Sequence, residues 1–289
     1  MLLFTIVVRH PKTSNNYVHV CTLLKRTIRS VCQQQNAEFL LVVACSEKPD
    51  FDIDDERVIF KTIDCSIPKT RHEMLMDKSV KRLVAFQEGL RRTKFSYLMM
   101  LDADDLVSKN LASFILSSLP DGASGARLNA GYLLDFNNQR LQKKYGFNHY
   151  CGSSLIYNIN DVISMLGVSK KAFMALNTQA EFLEACDNYV MKEMLGDHRH
   201  PNHFFKSKKR PLVQIYEPLA CWVVNNGENL SKTTIGRGAR TMNSAMLEEF
   251  ALTKEMKPVA PSILDQLIEQ GRFLKSVFGH YYRTLTKRY

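Results

Sequence analysis

The chain has 289 residues, of which 45% are hydrophobic and 24% are charged, and its net charge is +10 at pH 7. This composition excludes an intrinsically disordered chain, because enough apolar surface is present to form the core of one large or two smaller domains. The excess of positive charge favours anionic partners such as nucleotide diphosphates, nucleic acid or an acidic membrane face.

The seven cysteines are widely spaced and form no C-x-x-C pair. An odd number of scattered cysteines is typical of reduced thiols and unlike a disulfide framework or a zinc site. The first apolar run is too short for a signal peptide, and no other stretch reaches the roughly 18 apolar residues that span a bilayer. We therefore expect a cytoplasmic protein.

Strands and helices alternate along the first part of the chain. Buried apolar runs predict the strands, and apolar residues at helical spacing predict the helices between them. The predicted strands are Leu2–Val8, Glu38–Cys45, Arg57–Asp64 and Ser96–Asp102, and the predicted helices are Val18–Gln34 and Asp77–Arg92. This order predicts an α/β fold with a mainly parallel central sheet flanked by helices.

The fourth predicted strand leads directly into three carboxylates, Asp102, Asp104 and Asp105. Like charges this close repel one another, so the cluster needs a cation beside it. Ligands of open α/β sheets bind just outside the carboxyl ends of the strands, where this cluster is expected. One aspartate can cap the helix predicted at Asn110–Leu119, but capping leaves the other two unexplained.

A second acidic segment has the same D-x-D-D spacing. It contains Asp52, Asp54 and Asp55, but it follows Pro49 and precedes its strand. A polar turn explains this segment, so we predict no binding site there.

The segment Gln87–Leu111 resembles family 2 glycosyltransferases with the GT-A fold. It has the same order of helix, short spacer, Tyr-containing strand and Asp-x-Asp-Asp ending. The resemblance extends back to the N-terminus and returns at Pro218–Thr234, where a strand precedes a Gly-Glu-Asn-x-Ser segment. It implies that Asp102 contacts the donor ribose, that Asp102 and Asp104 hold Mn²⁺ or Mg²⁺, and that Asp105 is a possible helper.

This resemblance implies a metal-dependent glycosyltransferase. Such an enzyme moves a sugar from a nucleotide-diphosphate donor to a hydroxyl of a glycan or lipid-linked acceptor, with inversion, by single displacement with a carboxylate base. Hard oxygen ligands holding a divalent ion offset the charge of the leaving diphosphate in the transition state. The catalytic domain is expected at 1–235, with a donor half at 1–119 and an acceptor half at 120–235, followed by a helical extension at 236–289.

The chain departs from the family pattern where the donor binds. Ala44 and Cys45 end the second strand, at the places of an aspartate pair that reads the nucleobase in the family. Phe86 and Gln87 replace an Arg-Asn pair that often precedes the Asp-x-Asp. Nucleobase specificity is therefore not predicted.

Basic residues near the acid cluster are candidates for contacting the donor diphosphate. Lys78, Lys81 and Arg82 lie on the helix before the fourth strand, but a solvated helix face is the expected role for at least two of them. Lys12 lies in the first loop, Arg9–Asn16, and is either a donor contact or a surface residue.

Signals are weaker in the second half of the chain. Gly and Pro predict a loop at Pro120–Gly131. Three histidines follow the helix predicted at Glu181–Gly196, but an exposed loop is favoured over a metal site because no second cluster has matching spacing. Strands are predicted at Tyr150–Asn158, which could line an acceptor pocket, and at Leu212–Val224.

The general base of the family follows its long central helix. Asp197 and His198 occupy the matching place, which makes Asp197 the predicted catalytic base and His198 a possible contributor. Asp187, within the preceding helix, is the rival. The alternative is that Asp197 only caps or solvates the loop after Gly196.

The C-terminal segment Gly271–Tyr289 contains five lysines and arginines, no acid, and apolar residues at helical spacing. It predicts an amphipathic helix that either lies on the anionic inner face of a membrane or packs on the catalytic domain. No RNA-binding or helix-turn-helix signature accompanies the positive charge, so no nucleic-acid partner is expected. The alternative to an enzyme is a non-catalytic basic binding protein on a degenerate transferase scaffold.

Overall fold

A computed structural model describes residues 1–229, 233–236 and 239–258. Its first part alternates strands and helices as the apolar runs predict, which confirms a mixed α/β fold. The strands are β1 (Leu2–Val7), β2 (Phe39–Cys45), β3 (Val58–Thr62) and β4 (Tyr97–Asp102), and the helices are α1 (Tyr17–Cys32) and α2 (Arg71–Arg92).

The four N-terminal strands are parallel neighbours in the order β3-β2-β1-β4. The strand order therefore reverses between β1 and β4, which makes their carboxyl ends a topological switch point. The register places Val7 at the end of β1 beside Asp102 at the end of β4. Ligands of open α/β sheets bind in the crevice at such a point.

The second half of the chain completes this sheet and forms another. The additional strands are β5 (Leu106–Val107), β6 (Gly125–Leu128), β7 (Ala130–Asp135), β8 (Arg140–Tyr145), β9 (Leu155–Asn158), β10 (Val213–Ile215), β11 (Ala220–Val224) and β12 (Arg240–Thr241). β9 is antiparallel to both β4 and β6, and β10 extends the edge, giving seven strands in the order β10-β6-β9-β4-β1-β2-β3. Five strands, β12-β8-β7-β11-β5, form a smaller sheet.

The main sheet is covered by helices on both faces, as predicted. Alternate side chains of β1 point to opposite faces, so Phe4 packs into the core under α1 and Leu3 into the core under α2. All seven cysteines are free and five of them are buried, in agreement with the predicted thiols. The other α-helices are α3 (Leu111–Ser118), α4 (Ile159–Met165), α5 (Lys170–Ala175), α6 (Gln179–Ala185), α7 (Pro201–Ser207) and α8 (Ser244–Glu249).

The predicted loop at Pro120–Gly131 is wrong, because it contains β6 and the start of β7. Gly125 belongs to a strand rather than a turn: it has φ +135°, and a Cβ there would lie 2.0 Å from the carbonyl oxygen of Ile156. Glycine allows this close approach of two strands, so it is not a loop signal at this position.

Two other predicted elements are interrupted. The helix predicted at Glu181–Gly196 is α6 followed by a π-helical turn at Val190–Leu195, because the Asp187 side chain accepts a hydrogen bond from the Val190 amide and starts a new turn. The strand predicted at Leu212–Val224 is split into β10 and β11, since Pro218 between them has no N–H to donate to a sheet.

The described C-terminal residues pack on the smaller sheet. β12 pairs with β8, and Leu247 and Phe250 share a core with Leu141. The division predicted at 236 therefore falls inside this packing. The helix predicted at Gly271–Tyr289 lies outside the described residues. Within the described part of the chain, no helix is long and apolar enough to cross a bilayer.

Candidate functional site

The three aspartates lie where the chain passes from the main sheet to the smaller sheet. Asp102 ends β4, Asp104 lies in the turn, and Asp105 immediately precedes β5. The amide of Asp105 donates to the carbonyl of Asp102 over 3.3 Å, which closes the turn. The three carboxylates are thereby held together at the β1/β4 switch point.

Two cations of α2 hold Asp102. Lys78 Nζ lies 2.7 Å and an Arg82 guanidinium nitrogen 3.1 Å from Asp102 Oδ1. The two cations are four residues apart and so share one helix face. Burial alone raises the pKa of Asp102, but Lys78 and Arg82 outweigh it and hold the pKa at about 2.

The prediction that at least two of the three basic residues of α2 lie on a solvated face is wrong, because Arg82 and Lys81 are buried. Arg82 is only 4% exposed, and it also donates to the carbonyl of Leu195. Lys81 is fully buried, and its Nζ donates to Asp77 over 2.9 Å and to the Val8 carbonyl over 3.2 Å. Periodicity did not reveal this, because long basic side chains satisfied by acids and carbonyls occupy the core side of the helix.

Asp104 is held by amides instead of cations. Asn226 and Asn229 donate their side-chain N–H groups to Asp104 Oδ2 over 2.8 and 3.1 Å. Burial, followed by the neighbouring charge of Asp102, raises the pKa of Asp104. A cation at this position would relieve both effects.

Asp105, the possible helper, is a buried structural link. It is 2% exposed and accepts hydrogen bonds from Ser153 Oγ at 2.5 Å, Cys151 Sγ at 3.3 Å and the Val223 amide at 3.3 Å. Burial and the charges of Asp104 and Asp102 raise its pKa well above the usual range. Asp105 therefore joins three chain segments beneath the other two carboxylates.

Residues 149–153 form a segment that wraps closely around the acid cluster. Ser153 Oγ accepts a hydrogen bond from the Asp102 amide over 2.9 Å. A Cβ on Gly152 would lie 2.6 Å from Asp102 Oδ2, so only glycine allows the backbone to approach this carboxylate. The sequence predicts a strand that starts at Tyr150, and its pattern does not reveal this role of Gly152 and Ser153.

Residues 225–229 form a second loop at the site, which the sequence does not predict there. Besides the two asparagines on Asp104, this loop carries Glu228, which accepts from Arg9 at 2.8 Å and from the Asn16 amide at 2.8 Å. The loop is thus fastened to the first loop after β1. The available signal was its polar N-N-G-E-N sequence directly after a buried strand, the same pattern that marks the acid cluster.

The loop after the π-helical turn carries Asp197, the predicted base, and His198, the possible contributor. Both carboxylate oxygens of Asp197 accept hydrogen bonds from Arg199, and these outweigh burial to lower the pKa of Asp197 to about 2. His198 Nε2 lies 3.3 Å from the carbonyl of His149. Burial lowers the pKa of His198, and the charge of Asp102 partly offsets this, so His198 lies within electrostatic reach of the acid cluster.

The remaining predicted site residues lie apart from these contacts. Lys12 is exposed in a short 3-10 helix, and no described ion pair joins it to the acids. Asp187 caps the π-helical turn and lies beside Gly167. The geometry brings Lys78 and Arg82 to the cluster and leaves Lys12 and Asp187 outside it.

The described residues contain no group of three or more metal-ligating side chains. A hard divalent cation can be held by one or two carboxylates when substrate phosphates and water complete its coordination. Asp102 and Asp104 supply two carboxylates, and Asp102 Oδ2 accepts no hydrogen bond from the described residues. The pair fits a cation whose coordination is completed by a substrate, and not a cation whose ligands all come from the protein.

Comparisons with known proteins give a distant likeness. No family model matches the chain, and no curated protein matches it. Among solved structures, it is similar to the bifunctional IspDF from Campylobacter jejuni, with 15% identity and a TM-score of 0.30. The match covers 64% of this chain and 47% of that one, so the chain spans about half the length of that structure.

Proposed function

We propose that this protein is a metal-dependent glycosyltransferase with a GT-A-like fold, which binds a nucleotide-diphosphate sugar at the β1/β4 switch point. One observation carries the proposal: two carboxylates, Asp102 and Asp104, lie at the carboxyl end of β4 with two cations of α2 beside them. This combination suits a divalent ion together with a diphosphate, because each negative group then has a positive neighbour.

Lys78 and Arg82 are the proposed diphosphate contacts. In the structure, both cations contact the same oxygen of Asp102, Oδ1. A bound Mn²⁺ or Mg²⁺ would polarise the leaving diphosphate, and Asp102 and Asp104 are the residues proposed to hold it. With that ion beside Asp102 and Asp104, the two cations would be available to the phosphate oxygens.

His198 is the better candidate for the general base, and Asp197 supports its loop. A carbonyl only accepts, so the contact with His149 assigns the proton of the neutral imidazole to Nε2 and leaves Nδ1 able to take a proton. Burial lowers the pKa of His198, which favours the neutral imidazole. Asp197, with a pKa of about 2 and both oxygens bound by Arg199, is a weak base.

The second candidate is a non-catalytic binding protein on the same scaffold. It is favoured by the end of β2, where Ala44 and Cys45 are buried and apolar and offer no carboxylate to a nucleobase. Such a protein would bind an anionic ligand through Lys78 and Arg82 without turnover.

A panel of nucleotide sugars separates the two candidates. The full chain is incubated with UDP-, GDP-, CDP- and dTDP-sugars, with Mn²⁺, with Mg²⁺ or with a chelator, and the released nucleoside diphosphate is measured. The proposal expects slow hydrolysis of at least one donor that requires the metal. Anion binding that falls steeply with salt, without metal-stimulated turnover of any donor, would favour the binding protein.

A further inference from the structure

Tyr150 is an exposed aromatic residue in the segment 149–153. Its exposed fraction is 46%, and Lys144 Nζ lies 4.3 Å from the centre of its ring. Lys144 contacts this ring instead of a carboxylate, since no ion pair joins it to an acid among the described residues. The pair therefore presents an aromatic surface and a positive charge that is not neutralised by a described acid.

The position of Tyr150 is fixed relative to the acid cluster. Gly152, two residues later, packs against Asp102, and two residues span at most about 7 Å of extended chain. On the other side, His149 contacts His198 over 3.3 Å. Along the chain, Tyr150 thus follows the residue that contacts the proposed base and precedes the residue that packs against Asp102, on a segment that Cys151 and Ser153 anchor to Asp105.

We infer that Tyr150 and Lys144 form an acceptor subsite for a sugar ring that carries an anionic group, namely a carboxylate, sulfate or phosphate. The inference rests on the proposed function and names the acceptor class of that same site. The apolar face of a sugar ring packs on an exposed aromatic ring. The ammonium group adds a charge contact that a neutral sugar does not make.

The neighbouring strand residues provide a matched control. Lys143 Nζ lies 5.4 Å from the ring centre of Tyr145, which is 57% exposed, so the same two residue types form a second pair. Successive residues of a strand point to opposite faces, so Lys143 lies on the face of β8 opposite to Lys144. Lys143 shares its face of β8 with Leu141, which packs in the core of the smaller sheet. The control pair therefore lies on a different face of the strand from Lys144.

The test measures binding of four monosaccharide probes to the full chain by isothermal titration: glucuronate, glucose 6-sulfate, glucose 6-phosphate and neutral glucose. The wild type should bind at least one anionic probe about two- to fivefold more tightly than glucose, and added salt should reduce this difference. Lys144→Gln should remove the preference for the anion. Tyr150→Ala should weaken the binding of all four probes, because packing of the sugar on the ring does not depend on the charge of the probe.

The control variants Lys143→Gln and Tyr145→Ala should bind as the wild type does. Equal binding of charged and neutral probes, no binding of any probe, or equal losses in both pairs of variants would overturn the inference. The three anionic probes distinguish a carboxylate from a sulfate or phosphate.

A donor measurement keeps the two proposals separate. Thermal stabilisation by a nucleotide sugar with Mn²⁺ is recorded for the same variants, because a ligand of the folded state raises apparent stability. Donor stabilisation without a preference for anionic probes would reject the acceptor subsite alone. Anionic binding without donor stabilisation would instead reject the proposed function.

Discussion

The chain contains the D-x-D-D spacing twice, and the surroundings of the two copies are opposite. The first follows β4, where Lys78 lies 2.7 Å from Asp102, whose side chain is 28% exposed. The second precedes β3, where the Asp52 side chain is fully exposed and Lys48 approaches it only to 3.9 Å. The same sequence pattern is thus a candidate site in one place and a solvated turn in the other.

The difference lies in where the partners come from. Asp55 in the second copy is bound by Arg57, two residues away, with contacts of 2.9 and 2.7 Å. Asp104 in the first copy is bound by Asn226, which is 122 residues away. A turn satisfies its own charges locally, whereas a site is assembled by distant segments.

The largest expected effect is on metal-dependent activity. Asp104→Asn keeps the shape of the side chain but removes its charge, so we expect nucleotide-sugar turnover with Mn²⁺ to fall by about 10³-fold. Asp54→Asn, at the equivalent place of the second copy, should retain wild-type turnover. The prediction is wrong if both variants remain active, or if both lose activity while circular dichroism shows them folded.

The next effect concerns His198, which lies within electrostatic reach of the first copy. We expect His198→Gln to slow transfer to an acceptor by about 10²-fold while donor affinity stays unchanged, because a base acts on the reaction and not on donor binding. The rate should also fall as the pH drops below the lowered pKa of His198, since protonation removes the base.

His203→Gln, at an exposed position of α7, is the matched control and should behave as the wild type. A His198→Gln variant with normal transfer would return the role of base to Asp197. Asp197→Asn, measured in the same assay, then decides whether that residue has it.

A smaller effect is expected on stability. Arg82→Gln leaves Asp102 and the Leu195 carbonyl without a buried cationic partner, so we expect the free energy of unfolding to fall by about 2 kcal/mol. Arg57→Gln removes a partly exposed pair of the second copy and should cost less than about 1 kcal/mol. Urea denaturation measures both values, and equal losses would contradict the difference in burial.

The smallest effect is a pH dependence of the second copy. Hydrogen bonds from Arg57 lower the pKa of Asp55 from 3.8 to about 2. The unfolded chain therefore takes up this proton at higher pH, so the contribution to stability is present above about 3.8 and is lost as the pH falls towards 2. The difference in unfolding free energy between wild type and Arg57→Gln should shrink over this window. A constant difference would count against the pair.

The sequence predicted well those parts of the molecule that depend on local pattern. The apolar runs around Leu2–Val7 and Tyr97–Asp102 give the strands, and with them the edge of the sheet on which the acids lie. It failed where a contact between distant segments decides the structure. Gly125 is a strand residue because the Ile156 backbone lies against it. Arg82 can be buried because the Leu195 carbonyl and Asp102 accept its hydrogen bonds.

The same distinction holds within the candidate site. Asp102 and Asp104 could be found from sequence, since carboxylates after a buried strand are a local signal. Asn226 and Asn229 could not be assigned to Asp104, because the pairing of β11 with β5 brings their loop to the cluster. Tyr150 likewise falls in a predicted strand, and only the anchoring of the segment 149–153 reveals its position.

Binding of Mn²⁺ measured by electron paramagnetic resonance tests the central claim most directly. The free-ion signal is titrated with the full chain in the presence of UDP or GDP, using the wild type, Asp104→Asn and Asp54→Asn. The account predicts one bound ion per chain in the wild type and Asp54→Asn, and loss of that ion in Asp104→Asn. Binding that survives in Asp104→Asn, or its absence from the folded wild type with either nucleotide, would contradict the assignment of the β4 acids.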